Sequence, residues 1–171
     1  IMGLFPSTGS MQKDGKTIAL NSPSAALTNG MAFVSEDRRG VGLLLDDSIA
    51  FNIASTSLQL FGKFMKGTWP RILDEEAINA HALKMVEEFD IRCTGPWQNT
   101  RSLAGGNQQK VCVARAITQS PEILFVSEPP RGIDIGAKKR ILDALVALNR
   151  ETGMTIVVTS SELAELRTVC D

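Results

Sequence analysis

The sequence predicts an α/β domain with a parallel sheet, on two observations. Residues 31–34, 123–126 and 155–158 are short apolar runs without the polar alternation of strands that face water on one side. Between the last two runs, residues 135–149 carry apolar side chains at helical spacing. Strands that are apolar on both faces and separated by helices are typical of parallel sheets.

Composition and charge are those of one soluble globular domain. The chain has 171 residues, of which 43% are hydrophobic, a length that can bury a real core. Its 18 basic and 19 acidic residues nearly cancel, so it lacks the basic surface that nucleic acid binding requires, and no nucleic acid partner is expected. No apolar run approaches the roughly 20 residues of a membrane span.

Cysteine and histidine give no metal-binding pattern. Cys93, Cys112 and Cys170 are widely spaced and odd in number, which is typical of reduced thiols. The single histidine, His81, stands on a probable helix and excludes a site with several histidines. The sequence therefore predicts no metal site.

The amino-terminal elements follow from turn and capping residues. Asp14 and Gly15 favour a hairpin turn between two short strands. A short helix is expected to start at Ser22 and to stop near Asn29. Residues 31–34 then form a buried strand, and the polar stretch 35–47 is predicted to be a loop.

Residues 48–100 have a helical pattern. Apolar residues recur at helical spacing over 78–89, and Asp74 is placed to cap that helix. Glycine and proline divide the region into at least two helices, at Gly62, Gly67 and Pro70. Its large apolar residues either pack in the core or form a partner-binding surface, and both alternatives stay open for Phe61, Phe64, Met65 and Trp69.

A pair of glycines, Gly105 and Gly106, stands directly before a predicted helix over 111–118. Glycines at such a place let backbone N–H groups approach a phosphate, and the helix dipole favours the negative charge. A plain glycine-rich helix entry explains the same pattern equally well on local physics.

Glu128 follows the predicted strand 123–126. A carboxylate at the carboxyl end of a buried strand lies where α/β sheets place ligands, and it could polarise a water for attack on a phosphate. A solvent-exposed carboxylate is the other interpretation. After the last strand, Ser161 is predicted to cap a final helix.

Taken in order, these motifs resemble the ABC ATPase family. The glycine motif is followed by a helix, an apolar strand, Ser127-Glu128-Pro129 and the Arg-Gly-Ile-Asp segment of residues 131–134. Asn-Gln-Gln-Lys at 107–110 and Ser-Ser-Glu-Leu at 160–163 narrow the match. They are similar to the second nucleotide-binding domain of the tandem ATPase subunits that energise bacterial ribose and galactose importers. Residues 31–39 agree with that family's form of the Q-loop.

The resemblance implies an incomplete P-loop NTPase core with a parallel sheet and an inserted helical subdomain. The core would comprise residues 1–47 and 102–171, and the helical subdomain residues 48–101. In this family two nucleotide-binding domains sandwich ATP, and the signature loop of one domain faces the phosphate-binding loop of the other.

The roles of individual residues are likewise implied by the resemblance. Gly105 and Gly106 would donate to the γ-phosphate held by the partner domain. Glu128 has the general-base position, Glu36 the Q-loop position, and Ser161 the H-loop position. Asp134 matches the D-loop aspartate. The signature loop consists of Leu103, Ala104, Gly105, Gly106, Asn107 and Gln108.

Cofactors and partners are also expectations from the family. ATP and Mg²⁺ would be bound in the intact transporter. The partners would be a second nucleotide-binding domain and transmembrane permease subunits, at the cytoplasmic face of the inner membrane. We further expect self-association of the isolated chain, because a truncated parallel sheet exposes strand edges.

Several positions depart from the family pattern. The phosphate-binding loop, Gly-x4-Gly-Lys followed by Ser or Thr, has no match, and at the nearest approach Ser10 stands where its first glycine is required. The chain is therefore expected to begin after that loop and to end before the family's closing strands. Ser127 replaces a magnesium-supporting aspartate, and Ala104 replaces the signature serine. The usual Q-loop glutamine and H-loop histidine are replaced as well, by Glu36 and Ser161.

These departures lead to two functional hypotheses. The first is a nucleotide-binding-domain fragment of a sugar importer that does not turn over ATP alone and supplies the signature loop to a composite site. The alternative is a non-catalytic scaffold or interaction module derived from an ABC ATPase. Ala104 and Ser127 favour the scaffold, whereas the retained glycine pair and Glu128 favour the composite site.

Overall fold

The chain begins with a small antiparallel hairpin. A computed structural model describes residues 1–6, 8–19, 21–128 and 135–170. Strand β1 (Met11–Lys13) pairs with β2 (Lys16–Ile18). Between them Asp14 and Gly15 have φ values of 51° and 74°, the left-handed conformations that a two-residue hairpin turn needs. The predicted hairpin is confirmed.

A short helix leads into the first strand of the main sheet. Helix α1 (Pro23–Thr28) starts where the Ser22 hydroxyl accepts a backbone N–H from the first turn, and its cap residue is Asn29. Strand β3 (Met31–Val34) follows at once and is largely buried. Both elements lie where the sequence predicts them.

The segment predicted to be a loop contains a π-helical turn, Arg38–Gly42. The Asp37 carboxylate accepts the Gly40 N–H at 2.8 Å, and the Asp37 carbonyl accepts the Gly42 N–H at 2.8 Å. A Cβ on Gly40 would collide with the Asp37 carboxylate, and a Cβ on Gly42 would lie 3.0 Å from its carbonyl oxygen. Glycine is therefore favoured at 42, where the close contact is with backbone, whereas a side chain at 40 would displace the Asp37 carboxylate from its bond to the Gly40 N–H. The polar character of the segment reveals neither constraint.

Two long helices follow, as predicted. Helix α2 (Ile49–Phe61) is capped by the Ser48 hydroxyl and ends at Gly62, whose φ of 61° is the usual left-handed helix stop. Helix α3 (Glu75–Glu88) starts at Asp74, whose carboxylate accepts a backbone N–H of the first turn. The predicted cap is confirmed.

Between these helices the chain forms an unpredicted hairpin, β4 (Met65–Lys66) with β5 (Ile72–Leu73). Two-residue strands are too short to produce the alternation by which strands are recognised. The connecting residues carry Trp69, which is 91% exposed, and Phe61 nearby is 43% exposed. Core packing is therefore wrong for these two aromatic residues.

The connection from α3 to the next helix is irregular. Residues 89–99 contain no helix, which corrects the helical expectation there, and Trp97 in this stretch is 71% exposed. After a short 3-10 turn, Thr100–Ser102, helix α4 spans Gly105–Thr118. Its start lies six residues before the predicted one, because packing of its second turn outweighs the low helix propensity of glycine.

The main sheet is parallel, as predicted. Strand β6 (Ile123–Ser127) lies between β3 and β7 (Thr155–Thr159) and is parallel to both. Helix α5 (Ile135–Thr152) connects β6 to β7, and α6 (Leu163–Val169) follows.

Strand β7 corrects one prediction. It is not buried on both faces, since Thr155, Val157 and Thr159 are exposed. In the part of the chain that the structure describes, β7 pairs only with β6 and is the edge of the sheet. An apolar run alone does not distinguish a central strand from such an edge strand.

One buried cluster joins the sheet to the helices. Helix α4 packs on α2 and on β3, so the cluster continues from Ile53 through Val111 to Val126. The predicted apolar face of α5 is buried: Ile141, Leu142, Leu145 and Leu148. Within the described ranges, no helix is long and apolar enough to cross a membrane.

The thiols and the histidine occupy separate environments. Cys93 is half-buried, Cys112 buried and Cys170 exposed, and all three are free. Burial raises the pKa of Cys112 to about 11. His81 lies within 2.8 Å of the Thr118 hydroxyl, and burial is the main cause of its lowered pKa.

Candidate functional site

The register of the parallel sheet brings three predicted site residues to one edge. Val34 is paired with Val126, and Ser127 with Thr159, so the strands end at nearly the same level. The residues that follow them lie at the carboxyl edge, where α/β proteins bind ligands. They are Glu36 after β3, Glu128 after β6 and Ser161 after β7.

Glu128 and Ser161 are in direct contact. The Ser161 N–H donates to Oε1 of Glu128 at 2.6 Å, and the Ser161 hydroxyl donates to Oε2 at 3.1 Å. The Glu128 N–H donates to the Thr159 carbonyl at 2.8 Å. Because both carboxylate oxygens accept a hydrogen bond from one residue, the side chain is held in one orientation.

This contact replaces the predicted role of Ser161 as a helix cap. The N-cap of α6 is Glu162, and no side chain caps the helix. The Ser160 hydroxyl accepts the Glu162 N–H at 3.0 Å and donates to Glu165 at 3.0 Å. Serine near a helix start predicts a cap from sequence, but α6 begins at Leu163, one residue too late for Ser161 to be its cap residue.

The backbone of Glu128 is strained. Its φ of 45° lies in the left-handed region, which costs a residue other than glycine about 1 kcal/mol or more. Such conformations cluster at functional sites, where the surrounding structure imposes them. Here the β6–β7 ladder and the two bonds from Ser161 fix the residue on both sides.

Ser127 lies directly before Glu128 and is half-buried in the ladder opposite Thr159. A hydroxyl carries no formal charge and is a poor ligand for a hard divalent cation. Among the described residues, no group of three or more His, Cys, Asp or Glu side chains is placed to hold a metal ion. These residues do not fit Mg²⁺ by themselves.

Glu36 and Asp134 are the two remaining predicted site residues outside the signature loop. Glu36 is exposed and lies two residues before the π-helical turn, and its carbonyl accepts the Arg38 N–H at 3.1 Å. Asp134 lies outside the described residues, together with the rest of 129–134.

The signature residues form the start of α4. Gly105 and Gly106 are its first two residues, within the helix rather than before it as predicted. The N-cap is Ala104, which is exposed and whose side chain cannot accept a hydrogen bond. No acidic residue stands in the first turn, and the N–H groups of both glycines have no partner among the described residues. The end of the helix is therefore open to an anion.

Two side chains of this motif, Leu103 and Gln108, point into the protein. Leu103 is buried, and Gln108 is 2% exposed. The Gln108 amide donates to the Thr100 carbonyl at 3.3 Å, and Oδ1 of Asn107 accepts the Arg92 N–H at 3.0 Å. The side chains thus hold the loop in place and leave its backbone for a ligand.

A buried lysine adds a further anchor that the sequence did not reveal. Nζ of Lys110 donates to the carbonyl of Asp90 and lies 3.2 Å from its carboxylate. The hydrogen bond from Lys110 is the main cause of the lowered pKa of Asp90. The contact of Lys110 with Asp90 and the bond from the Arg92 N–H to Asn107 connect the first two turns of α4 to the segment after α3.

The signature loop and the residues at the carboxyl edge of the sheet form two separate groups in this structure. No hydrogen bond or ion pair joins residues 103–108 to Glu128 or Ser161 within the described ranges. Glu128 and Ser161 are brought together, whereas the glycine motif offers its open helix end independently.

Comparisons with known proteins agree on one family. A sequence profile described as "ABC transporter" matches residues 1–131. The ribose import ATP-binding protein RbsA of Shouchella clausii is 37% identical over 161 residues, covering 93% of this chain. The nucleoside import ATP-binding protein NupA of Lactococcus lactis subsp. cremoris is 39% identical over 164 residues, covering 96% of this chain.

The chain spans about a third of the length of these relatives, 30% of the first and 31% of the second. Among solved structures, a nucleotide-free ATP-binding cassette from an ABC transporter matches with a TM-score of 0.75 at 19% identity. The match covers 99% of this chain and 66% of that one. A dimeric cassette in a post-hydrolysis state, bound to ADP and Pi, matches with a TM-score of 0.72 at 22% identity, covering 95% and 66%. Both likenesses support the cassette fold.

Proposed function

Because the chain belongs to the ABC transporter family, we propose that it is part of the ATP-binding subunit of an importer for ribose or a related sugar or nucleoside. In this proposal it contributes the signature loop to an ATP site shared with a second nucleotide-binding domain. The two relatives are ribose and nucleoside import ATP-binding proteins, which supports import of such a substrate.

The observation that carries the proposal is the open end of α4. Among the described residues, the N–H groups of the two glycines have no partner, the cap residue is an alanine, and the first turn contains no acidic residue. The positive end of the helix dipole is therefore available. A phosphate oxygen would satisfy these donors. Most helix starts use a side-chain oxygen for that purpose, as Ser48 does for α2 and Asp74 for α3.

The same proposal assigns roles at the sheet edge. ATP bound between two domains would supply the phosphoryl group and its charge. Gly105 and Gly106 would bind the terminal phosphate, Glu128 would orient a water, and Ser161 would keep the Glu128 carboxylate in place. Glu36 and Asp134 are proposed as the Q-loop and D-loop residues.

The organisation and surroundings of the chain are part of the proposal. Residues 1–47 and 102–171 would belong to the ATPase core and residues 48–101 to the helical subdomain, with α4 packed against both. The partners would be a second nucleotide-binding domain and permease subunits at the cytoplasmic face of the inner membrane, and Mg²⁺ would be held by groups beyond this chain's Ser127. The exposed edge of β7 supports self-association of the isolated chain.

A scaffold without hydrolysis is the second candidate, and one contact favours it. Both oxygens of Glu128 already accept hydrogen bonds from Ser161, which competes with a water molecule for the same oxygens. In addition, Ser127 offers no charge to a cation. In this candidate the chain would pair with other domains without completing an ATP site.

The two candidates differ in what the chain does to a neighbouring ATP site. We would titrate Mg-ATP into a nucleotide-binding domain of the family that has its own phosphate-binding loop, with and without this chain. The composite-site proposal predicts no binding by this chain alone and at least tenfold tighter binding by the pair.

Two variants test whether the tighter ATP binding depends on the open end of α4. Gly106→Asp places a carboxylate at the open helix end and should abolish the tightening, because a fixed negative charge there repels phosphate. Ala80→Asp adds the same carboxylate at an exposed position on α3, and the pair should still bind ATP more tightly than the partner domain alone.

Micromolar binding of ATP by this chain unaided would contradict the proposal. If the wild-type chain leaves binding by the partner domain unchanged, the scaffold is favoured instead.

A further inference from the structure

Asn52 is a fully buried polar residue on α2 whose amide joins two separate segments. Its Oδ1 accepts the Leu44 N–H at 2.8 Å. Its Nδ2 lies 2.8 Å from the Leu44 carbonyl and 3.0 Å from both the Ser48 carbonyl and the Thr100 hydroxyl. A buried amide with all its groups satisfied fixes its neighbours in one arrangement, because any displacement leaves a buried polar group unpaired.

Thr100, also fully buried, extends this connection to the signature loop. Its N–H and its hydroxyl both donate to the Asp47 carbonyl at 3.0 Å. Its own carbonyl accepts the Leu103 N–H at 3.2 Å and the Gln108 side-chain amide at 3.3 Å. Leu103 and Gln108 are the two ends of the signature loop, so one carbonyl holds both.

A continuous chain of hydrogen bonds therefore runs from Leu44 through Asn52 and Thr100 to the signature. Its first member lies two residues after the π-helical turn that follows Glu36. Sequence patterning did not single out Asn52, although an asparagine among the apolar residues at the start of α2 was a signal of a buried polar role.

We propose that Asn52 and Thr100 are positioning residues that set the location of the signature loop relative to the loop of residues 44–48. This rests on the proposed function only in that the positioned loop is the one assigned to ATP. Small displacements of a helix end aimed at a phosphate weaken the interaction, since hydrogen bonds depend steeply on distance and angle.

The test is hydrogen exchange of individual backbone amides in the full 171-residue chain, followed by NMR. Thr100→Val removes the hydroxyl and keeps the branched shape. We expect exchange at Leu103 and at Leu44 to become at least tenfold faster relative to Val126 in the central strand. Leu44 does not contact the lost hydroxyl, so its response must pass through Asn52 or through Asp47, whose N–H donates to the Leu44 carbonyl at 3.1 Å.

Two control variants separate positioning from general destabilisation. Thr100→Ser retains the hydroxyl and should restore wild-type exchange at both amides. Ile53→Val weakens the neighbouring, fully buried position of the same helix without touching the network. It should change exchange at Leu44, Leu103 and Val126 by one common factor.

The proposal is overturned if Thr100→Val changes all three amides equally, or leaves Leu44 within twofold of wild type. If Thr100→Val does not fold, Gln108→Met is used instead, because it removes only the bond from the Gln108 amide to the Thr100 carbonyl. Amide exchange must then become faster at Leu103 and stay unchanged at Leu44. Any other pattern counts against the network. These measurements involve no nucleotide, so they decide the positioning role even if the ATP titration fails.

Discussion

At the scale of single residues, the two hydrogen bonds from Ser161 to the Glu128 carboxylate fix the side chain that the sheet presents at its carboxyl edge. Glu128 lies at the carboxyl end of a central strand, as expected from an apolar run followed by a carboxylate. Its contact with Ser161 was not predictable, because the two residues are 33 positions apart and meet only through the β6–β7 register. Asn52 and Lys110 were missed because their partners Thr100 and Asp90 are likewise distant in sequence, by 48 and 20 positions.

A pH-dependent loss of stability is expected from Cys112. Since burial raises the pKa of its thiol from 9.0 to about 11, the folded chain keeps a proton that the unfolded chain releases. The resulting stability is complete below pH 9 and is lost as the pH rises through 11, an effect of about 3 kcal/mol. Cys112→Ala should flatten the decline in the free energy of urea unfolding between pH 9 and 11. Cys170→Ala, at an exposed thiol, should leave it unchanged.

At the scale of elements, most helices and strands were predicted, and the errors have physical causes. The hairpin β4–β5 was missed because two-residue strands show no periodicity. The start of α4 was placed too late because glycine is a poor helix former, whereas packing of the second turn decides the structure. Strand β7 was predicted to be buried because its composition resembles that of a central strand.

The π-helical turn permits a prediction of its own. A Cβ at Gly42 would lie 3.0 Å from the Asp37 carbonyl oxygen and 3.3 Å from Sγ of Cys112 on α4. Gly42→Ala should therefore lower the free energy of unfolding by about 1–3 kcal/mol through overpacking. Val41→Ala, in the same turn at a side chain that is 70% exposed, should change it by less than about 0.5 kcal/mol. Urea denaturation of both variants checks this, and equal effects would contradict it.

At the scale of the whole molecule, the parallel sheet and its helical layers were predicted from the alternation of apolar strands and helices. The order of the strands came from the structure, since sequence alone does not say which strand is central. Within the described ranges that order makes β7 an edge strand. It presents β-branched residues and contains no charge or proline that would discourage pairing with another strand.

We therefore expect the isolated chain to self-associate through β7. Val157→Lys places a charge in the middle of this edge and should keep the chain monomeric at concentrations at which the wild type associates. Ala147→Lys adds the same charge at an exposed position of α5 and should not. Light scattering across a concentration series distinguishes them. A wild-type chain that stays monomeric throughout would refute the expectation.

The exposure of the two tryptophans determines what intrinsic fluorescence can report about this protein. Trp69 and Trp97 are 91% and 71% exposed, and the chain has no tyrosine. Indole emission from the folded chain should thus already resemble that of the unfolded chain, so intrinsic fluorescence is a poor reporter of unfolding. Intrinsic fluorescence is, however, a sensitive reporter of contact at this surface. A partner that covers Trp69 on the β4–β5 hairpin would shift the emission to shorter wavelength, and unfolding alone would not produce that shift.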